Sequence, residues 1–516
     1  MRPEPLPVPA SETTAVQPTA TKNAPVGRLP QFHVIGFTGH RHLTNFEAAA
    51  AAIREALEAL RHEISGEWIA LSSIADGADR LFVHQARLLG MSWHAILPLP
   101  RAEFAKDFSE AEWADVETTL EAADHVRILE EAGDRDESYL DCGIETVNGA
   151  DVLLAVWDGN PARGKGGTAD VVQYARSIGK PVLIVNPETH EVRRENWSRL
   201  EPNDPVLADL NALPDAKSAW AINPFKAPAE VFLFQQKCDH HATQGAPQFR
   251  RLIVATVMAH VCASLTGAAV VAYELHSALL ACLELALISF ALGAVIALRH
   301  KMHSHHNWVR CRLAAEFCRS ALATWGLPRA APLLQDLDLT GVRGLTRSLY
   351  VLHMRSSATR PVPIEEFKRI YLEKRIDDQL HYYNRQMNRA FPIYKRLATG
   401  FSIATIAALV STAFYAISTT LHWPIPDLIA GTTNVFLPIA LPALAAAAIS
   451  IISINDFQRR VARYREMRQV LEDSRSQVAS CRTWNSIEQV VLRTERALLQ
   501  EVIEWHSVRS FSGGSH

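Results

Sequence analysis

Four apolar runs of about 20 residues constrain this chain more than any other feature: 252–273, 277–298, 400–419 and 434–455. At 1.5 Å of rise per residue, each reaches across a hydrocarbon layer of ~30 Å. Length alone does not separate a membrane span from a helix buried in a large soluble core. The grouping into two closely spaced pairs favours the membrane, and so does the placement of charge. Arg250, Arg251, Arg299 and Lys301 flank the first pair, and Lys395, Arg396, Arg459 and Arg460 flank the second. The linkers YELHSA and TLHWPIPDLIAGTT contain no Lys or Arg. A positive-inside bias therefore predicts a multi-pass protein of the cell inner membrane with N- and C-termini cytoplasmic.

The two pairs read as an internal repeat. QFRRL precedes the first pair and IYKRL the second. After the pairs, NWVRCRLAAEFCRSAL lies over DFQRRVARYREMRQVL with Arg310 on Arg459, Arg319 on Arg468 and Leu322 on Leu471. The alternative is that any membrane hairpin acquires basic flanks. Residues 457–507 are amphipathic, with Ile487, Val491, Leu498 and Val502 near helical spacing, and read either as a helix packed on another helix or another subunit or as a solvated coiled arm.

The first third of the chain follows another rule. HVIGF, WIALSSI, WHAILPL, HVRIL, DVLLAVWD and PVLIVN are short apolar runs separated by helical patterns. That alternation predicts βαβ units and a mostly parallel sheet, an α/β Rossmann-like domain ahead of an all-α membrane domain with four transmembrane helices. The expected division is a disordered leader over 1–30, which lacks the apolar core of a signal peptide, and a nucleotide-binding domain over 31–186. A connector and pre-membrane helix over 187–250 leads to two-helix modules at 251–380 and 381–516. The net charge of −3 gives no reason to expect a nucleic-acid partner. Seven cysteines without a CxxC pair argue against a disulfide scaffold or zinc ribbon.

Ligands of parallel sheets sit beyond the carboxyl ends of the strands, so the loops there are candidates. After HVIGF come Thr38, Gly39, His40 and Arg41; Gly39 permits close backbone approach to a phosphate and Arg41 supplies charge. After WIALSSI come Asp76, Gly77, Ala78 and Asp79, where an Asp either caps the helix or binds a ribose hydroxyl. After DVLLAVWD, Gly164, Gly166, Gly167 and Thr168 open a helix, an anion site by geometry. Each loop alone is as well explained by structural turns; together they favour a phosphate-bearing ligand. A catalytic carboxylate, if there is one, comes from Asp158, Glu145 or Asp79.

GFTGHR, ADGAD, LPLPRAEFAKDF and AVWDG…GKGGTA resemble the SLOG superfamily, which includes the DNA-processing protein A fold and the Lonely Guy phosphoribohydrolases. The resemblance covers 31–186 and implies that Gly36, Thr38, Gly39, His40, Arg41, Asp76, Gly77, Ala78, Asp79, Asp158, Gly166, Gly167 and Thr168 bind a nucleotide or nucleotide-derived ligand, with Arg101 a looser candidate. The phosphoribohydrolase PGGxGTxxE pattern is broken: Val171 stands where that family has its catalytic Glu, and Asp170 lies one residue early. Binding without turnover is the expectation, with no catalytic residue and no cofactor assigned. YLEKRIDDQLHYYNRQ and RTERALLQEVIEWHS resemble SLATT two-helix membrane modules. That second resemblance implies a pore-forming effector in bacterial anti-phage defence, acting as a homo-oligomer in the lipid bilayer. A membrane-anchored nucleotide hydrolase and a membrane-recruiting scaffold are the alternatives.

Within the spans, His260 and Glu284 are the ionisable candidates for a pore; a neutral Glu hydrogen-bonded between packed helices is the competing reading. Pro438 and Pro442 permit a kink in the fourth span. The run Lys301–His306 suggests a metal, but no Cys or carboxylate stands at ligand spacing. An interfacial, lipid-facing role is favoured, and no metal site is expected.

Overall fold

The computed structural model describes residues 27–129, 134–161, 166–215, 223–225, 227–300, 302–328, 342–357 and 362–511. Most of the expected leader, Gly164 and Lys301 lie outside the described residues, as do the side chains of the histidines that follow Lys301.

All six apolar runs form strands of one sheet: β1 (Phe32–Gly39), β2 (Glu67–Ser72), β3 (Ser92–Leu97), β4 (His125–Ile128), β5 (Val152–Val156) and β6 (Val182–Val185). A seventh strand, β7 (Val192–Glu195), comes from the polar text expected to be a connector. It pairs antiparallel with β6, and its exposed Val-Arg-Arg-Glu sequence suits an edge. The order is β4-β3-β2-β1-β5-β6-β7, so the direction of winding reverses between β1 and β5. Helices α1 (Phe46–Glu63), α2 (Ala78–Leu88), α3 (Arg101–Phe104), α4 (Glu110–Glu121), α5 (Arg135–Gly149) and α6 (Thr168–Ser177) make the crossovers.

Alternation along β1 assigns its faces. Ile35 and Phe37 pack with Ile53, Leu57 and Phe82 of α1 and α2. Phe32 and Val34 join a different core, together with α7 (Pro205–Ala212), α8 (Ala229–Ala272), α10 (Met302–Thr324) and α11 (Arg343–Ser357). Gly36 lies on that face beneath α5, where a Cβ would come within 2.9 Å of Ala150 Cβ. The missing side chain is what lets α5 sit close to the sheet.

Helix α11 binds the amino ends of the strands, opposite the loops considered above. Asp151 accepts the Val34 amide at 2.8 Å and the Arg347 guanidinium, and both side chains are nearly buried. Arg355 donates to Glu67 at 2.7 Å and to Ser92 at 2.8 Å while lying over the Phe32 ring. The sheet unit therefore draws on residues far beyond 186.

The membrane region contains α8, α9 (Ala278–His300), α13 (Asp378–Thr420), α14 (Asp427–Ala430) and α15 (Leu437–Ile454), preceded by α12 (Ile364–Tyr371). Among the described residues, four segments in it are long and apolar enough to cross a bilayer. The fourth starts earlier than expected, because α14 and a π-helical turn over Gly431–Phe436 continue into α15. Pro438 lacks an N–H and its ring crowds the carbonyl four residues back, which explains the widened turn just before it. Helices α16 (Phe457–Ser480) and α17 (Trp484–Phe511) follow.

The repeat is visible in the packing. Helix α8 runs from the core beside the sheet through the first span, α9 returns beside it, and α10 packs back along the half of α8 that precedes the span. Helices α13, α15 and α16 repeat that arrangement. Outside the apolar spans, Glu495 on α17 accepts from Arg375 Nε and Tyr371 Oη, each at 2.9 Å, with Arg375 2% and Glu495 0% exposed. Nearby Arg319 of α10 pairs with Asp239 of α8 at 2.8 Å and with Glu316 at 2.6 Å.

Candidate functional site

A cavity of about 720 Å³ opens beyond the carboxyl ends of β1 and β5, where the winding reverses. That volume suits a nucleotide-sized molecule. The site is built from four loops. Strand β1 ends in Thr38 and Gly39, and His40 and Arg41 follow; Gly39 is small because Ala78 Cβ lies 2.6 Å from where its Cβ would stand.

Asp158 follows β5 and faces His40, with Nε2 to Oδ1 at 3.0 Å. The Asp158 amide also lies 3.1 Å from His40 Nε2. An imidazole protonated at Nε2 donates to the carboxylate, whereas the other tautomer accepts the amide, so the pair has two hydrogen-bonding states. Burial alone would raise the Asp158 carboxyl. Hydrogen bonds from the Asn160 amide and side chain, and from His40, outweigh it and hold the group below its usual value.

The glycine loop ends in Gly166 and Gly167. Gly166 has φ +80, and a Cβ there would meet the α5 backbone at Leu140 N, 2.9 Å away. Its amide donates to Asp170 Oδ2 at 3.0 Å. Gly167 caps α6 without a side-chain acceptor, and the amides of Thr168 and Ala169 have no acceptor among the described residues. Those amides and the helix dipole favour an anion at this wall. Val171 is buried, its Cγ2 2.4 Å from where a Gly143 Cβ would stand, so the position that bears the phosphoribohydrolase Glu is apolar packing here.

Asp79 is the least ordinary group in the cavity wall. It is 5% exposed and accepts from Ser72 Oγ at 3.1 Å and Ser73 Oγ at 2.9 Å. Burial lifts its carboxyl to about 7, although the two serines and the charge of Arg41 pull the other way. Neutral Asp79 can donate a proton or a hydrogen bond near physiological pH.

Of the residues expected from sequence, Thr38, Gly39, His40, Arg41, Asp79, Asp158, Gly166, Gly167 and Thr168 line the cavity together. Gly36, Asp76, Gly77, Ala78 and Arg101 do not. Gly36 is spent on helix packing, Asp76 pairs outward with Arg80 at 3.4 Å, and Arg101 is exposed at the start of α3. Gly77 and Ala78 act through the backbone: Gly77 has φ +88 with the Arg41 carbonyl against it, and the Ala78 amide donates to the His40 carbonyl at 3.1 Å. Glu145 also lies outside the cavity, paired with Arg127 at 2.9 Å. Sequence reasoning missed Asp107, Arg135 and Tyr139. Asp107 accepts from both Arg135 and Tyr139, and Arg41 lies over the Tyr139 ring with its guanidinium carbon 5.0 Å from the centroid. Burial, followed by the Asp107 contact, pushes the Tyr139 hydroxyl well above its usual range. The signal available was the acidic-capped first turn of α5, DRDESY, which lies near the glycine loop only once the sheet is folded.

In the membrane, Glu284 of α9 is half-buried and packs on Gly267 of α8, where a Cβ would lie 3.2 Å from its Oε1. His260 is exposed on α8. Glu284 faces its own hairpin partner, and no contact between it and His260 is found among the described residues.

No curated protein matches this chain. Residues 371–505, which comprise α13 to α16 and most of α17, match the family described as SMODS and SLOG-associating 2TM effector domain 1.

Proposed function

We propose that this chain is a membrane effector gated by a nucleotide-derived ligand. One observation carries the reading: a two-helix effector module lies in the same chain as a sheet domain whose cavity presents free helix amides, a buried carboxyl and an arginine. The ligand's phosphate meets the amides of Thr168 and Ala169 with Arg41 nearby, and Asp79 in its neutral form donates to an acceptor on the ligand. Helix α11, bound to the amino ends of the same strands, connects the sheet to the α8 and α10 layer. Ligand drives opening by the difference in its affinity for the two arrangements of that layer. Permeation of the bacterial membrane during phage infection is the outcome this implies.

Ion flux from liposomes holding the full chain, with cyclic and linear nucleotides added singly, tests the proposal. Flux that needs one nucleotide and disappears in Gly167→Glu is expected; sealed vesicles with every nucleotide overturn it.

A second reading has specific support. Asp79, poised near neutrality in the cavity that also holds the His40–Asp158 pair, also suits proton transfer to a leaving base. Nucleobase release that stops in Asp79→Asn would favour the hydrolase.

A further inference from the structure

We propose that copies of this chain join edge to edge in the membrane, α13 of one copy against α9 of the next. The four spans stand in a row, α9–α8–α15–α13, with substantial packing between neighbours and no comparable packing between α9 and α13 among the described residues. A closed four-helix bundle would bring those two ends together. Each repeat contributes an outgoing span, α8 or α13, and a return span, α9 or α15. The row therefore reads return, outgoing, return, outgoing.

The contact joining the repeats is thus heterologous: the outgoing span of the first packs on the return span of the second. Two-fold pairing of the repeats would have put like spans together. The same two surfaces remain unused at the ends of the row, outgoing α13 at one and return α9 at the other. A heterologous contact with free complementary ends propagates to a ring or an open array. Exposed apolar side chains on these edges, such as Leu285 at 66% and Leu409 at 70%, do not decide the matter, since lipid covers them equally well. The contact already made once inside the chain is what specifies a second copy as the occupant.

That internal contact also supplies the register. At the outer end, Tyr273, the residue that ends α8, donates to or accepts from Thr432 Oγ1 at 3.0 Å. Gly431 lies so close to Ala272 that an added Cβ would be 2.3 Å from its carbonyl oxygen. Leu421 ends α13 as Tyr273 ends α8, and the return spans begin at Ala278 and Asp427. Matching those landmarks puts Thr420 in the place of Ala272, and Cys282 and Leu283 in the places of Gly431 and Thr432. Leu421, Leu283 and Cys282 are all exposed, so these positions are free to receive the neighbour. Because Cys282 has a side chain where Gly431 has none, the contact between copies stands slightly wider than the internal one, and a cysteine at position 420 faces Cys282 across it.

The inference rests on the membrane reading of the spans and not on any ligand. Its test uses the full chain in membranes, with Cys262→Ser and Cys481→Ser to silence the other accessible thiols. Chains bearing Thr420→Cys should form a disulfide ladder with copper phenanthroline, and adding Cys282→Ser should abolish it. Mixing differently tagged copies, one with native Cys282 and one with Thr420→Cys plus Cys282→Ser, should give a cross-link containing both tags. An intrachain pair, Tyr273→Cys with Thr432→Cys, should close under the same conditions. Like-with-like dimers of either single-thiol chain, or no mixed product while the intrachain pair closes, would overturn the proposal. Ligand-dependent flux without the mixed product removes this interface and leaves the effector standing; the mixed product without flux does the reverse.

Discussion

Arg347→Met tests whether the α11 contact holds the sheet. Asp151 and Arg347 have side chains 17% and 18% exposed, and Asp151 also accepts the Val34 amide. Breaking a fully buried pair by removing one partner costs about 3–5 kcal/mol, whereas an exposed pair is worth ~0.2–1 kcal/mol. Exposure below a fifth on both sides places this loss at about 2–4 kcal/mol, most of it the cost of leaving a carboxylate without its cation. Cys142 is a native reporter: it is 1% exposed, on α5, with its thiol on the Ile96 carbonyl at 3.3 Å. Labelling of Cys142 by a maleimide, resolved by peptide mapping of the full chain in detergent, reads the opening equilibrium. A loss of 2–4 kcal/mol corresponds to ~30- to ~700-fold faster labelling. The effect has a pH sign. Burial would raise the Asp151 carboxyl, but Arg347 and the Val34 amide hold it below its usual value. The pair's contribution is present above the unfolded carboxyl pKa and is lost as pH falls through the folded one. Without Arg347 the carboxyl rises, so the variant's deficit is larger at pH 8 than at pH 5. Adding Asp151→Asn should recover at least half of the loss. Labelling within threefold of the parent, or additive losses in the double variant, would refute the argument.

Other outcomes follow from the same geometry. Asp79 has its folded pKa raised to about 7, so its contribution to stability is present in acid and is lost as pH rises through that value. Asp79→Asn should flatten this part of the pH–stability curve, measured by thermal unfolding from pH 4 to 8. Gly77→Ala meets both φ +88 and the Arg41 carbonyl 2.2 Å from the new Cβ, and should cost roughly 2 kcal/mol or more while displacing the His40–Arg41 loop. Glu495→Gln leaves Arg375 charged and buried without its counter-ion. It should cost about 3–5 kcal/mol in unfolding of the full chain, and replacing Arg375 by Met as well should restore part of it.

Periodicity carries most of the fold in the sequence. The six apolar runs are strands because buried parallel strands need no polar alternation, and the four spans are apolar over bilayer length. Strand β7 escaped notice because its VRRE text is that of a solvated edge, which reads as loop. Helix α11 is amphipathic, but nothing local tells that its arginines serve the sheet rather than the membrane surface. Their partners, Asp151 and Glu67, are 196 and 288 residues away. The cavity was legible at Thr38 to Arg41, where β1 ends, and at Gly166 to Thr168, where a glycine loop opens α6. It was not legible at Asp107, Arg135 and Tyr139, which the folding of α5 over the sheet brings in. Gly36 and Gly77 were read as ligand contacts, yet helix packing and loop geometry account for their lack of a side chain.

The place of α11 in the chain has a consequence for biosynthesis. Its Arg347 leaves the ribosome 196 residues after Asp151, and the whole first hairpin lies between them. At 5–20 residues per second the strands wait about 10–40 s for their last support. During that interval Asp151 lacks its α11 partner and has Lys180 of its own domain nearby, while α8 and α9 are made. The polypeptide thus completes the scaffold of this cavity only after its first hairpin has been made, an order of assembly written into the linear arrangement of the message.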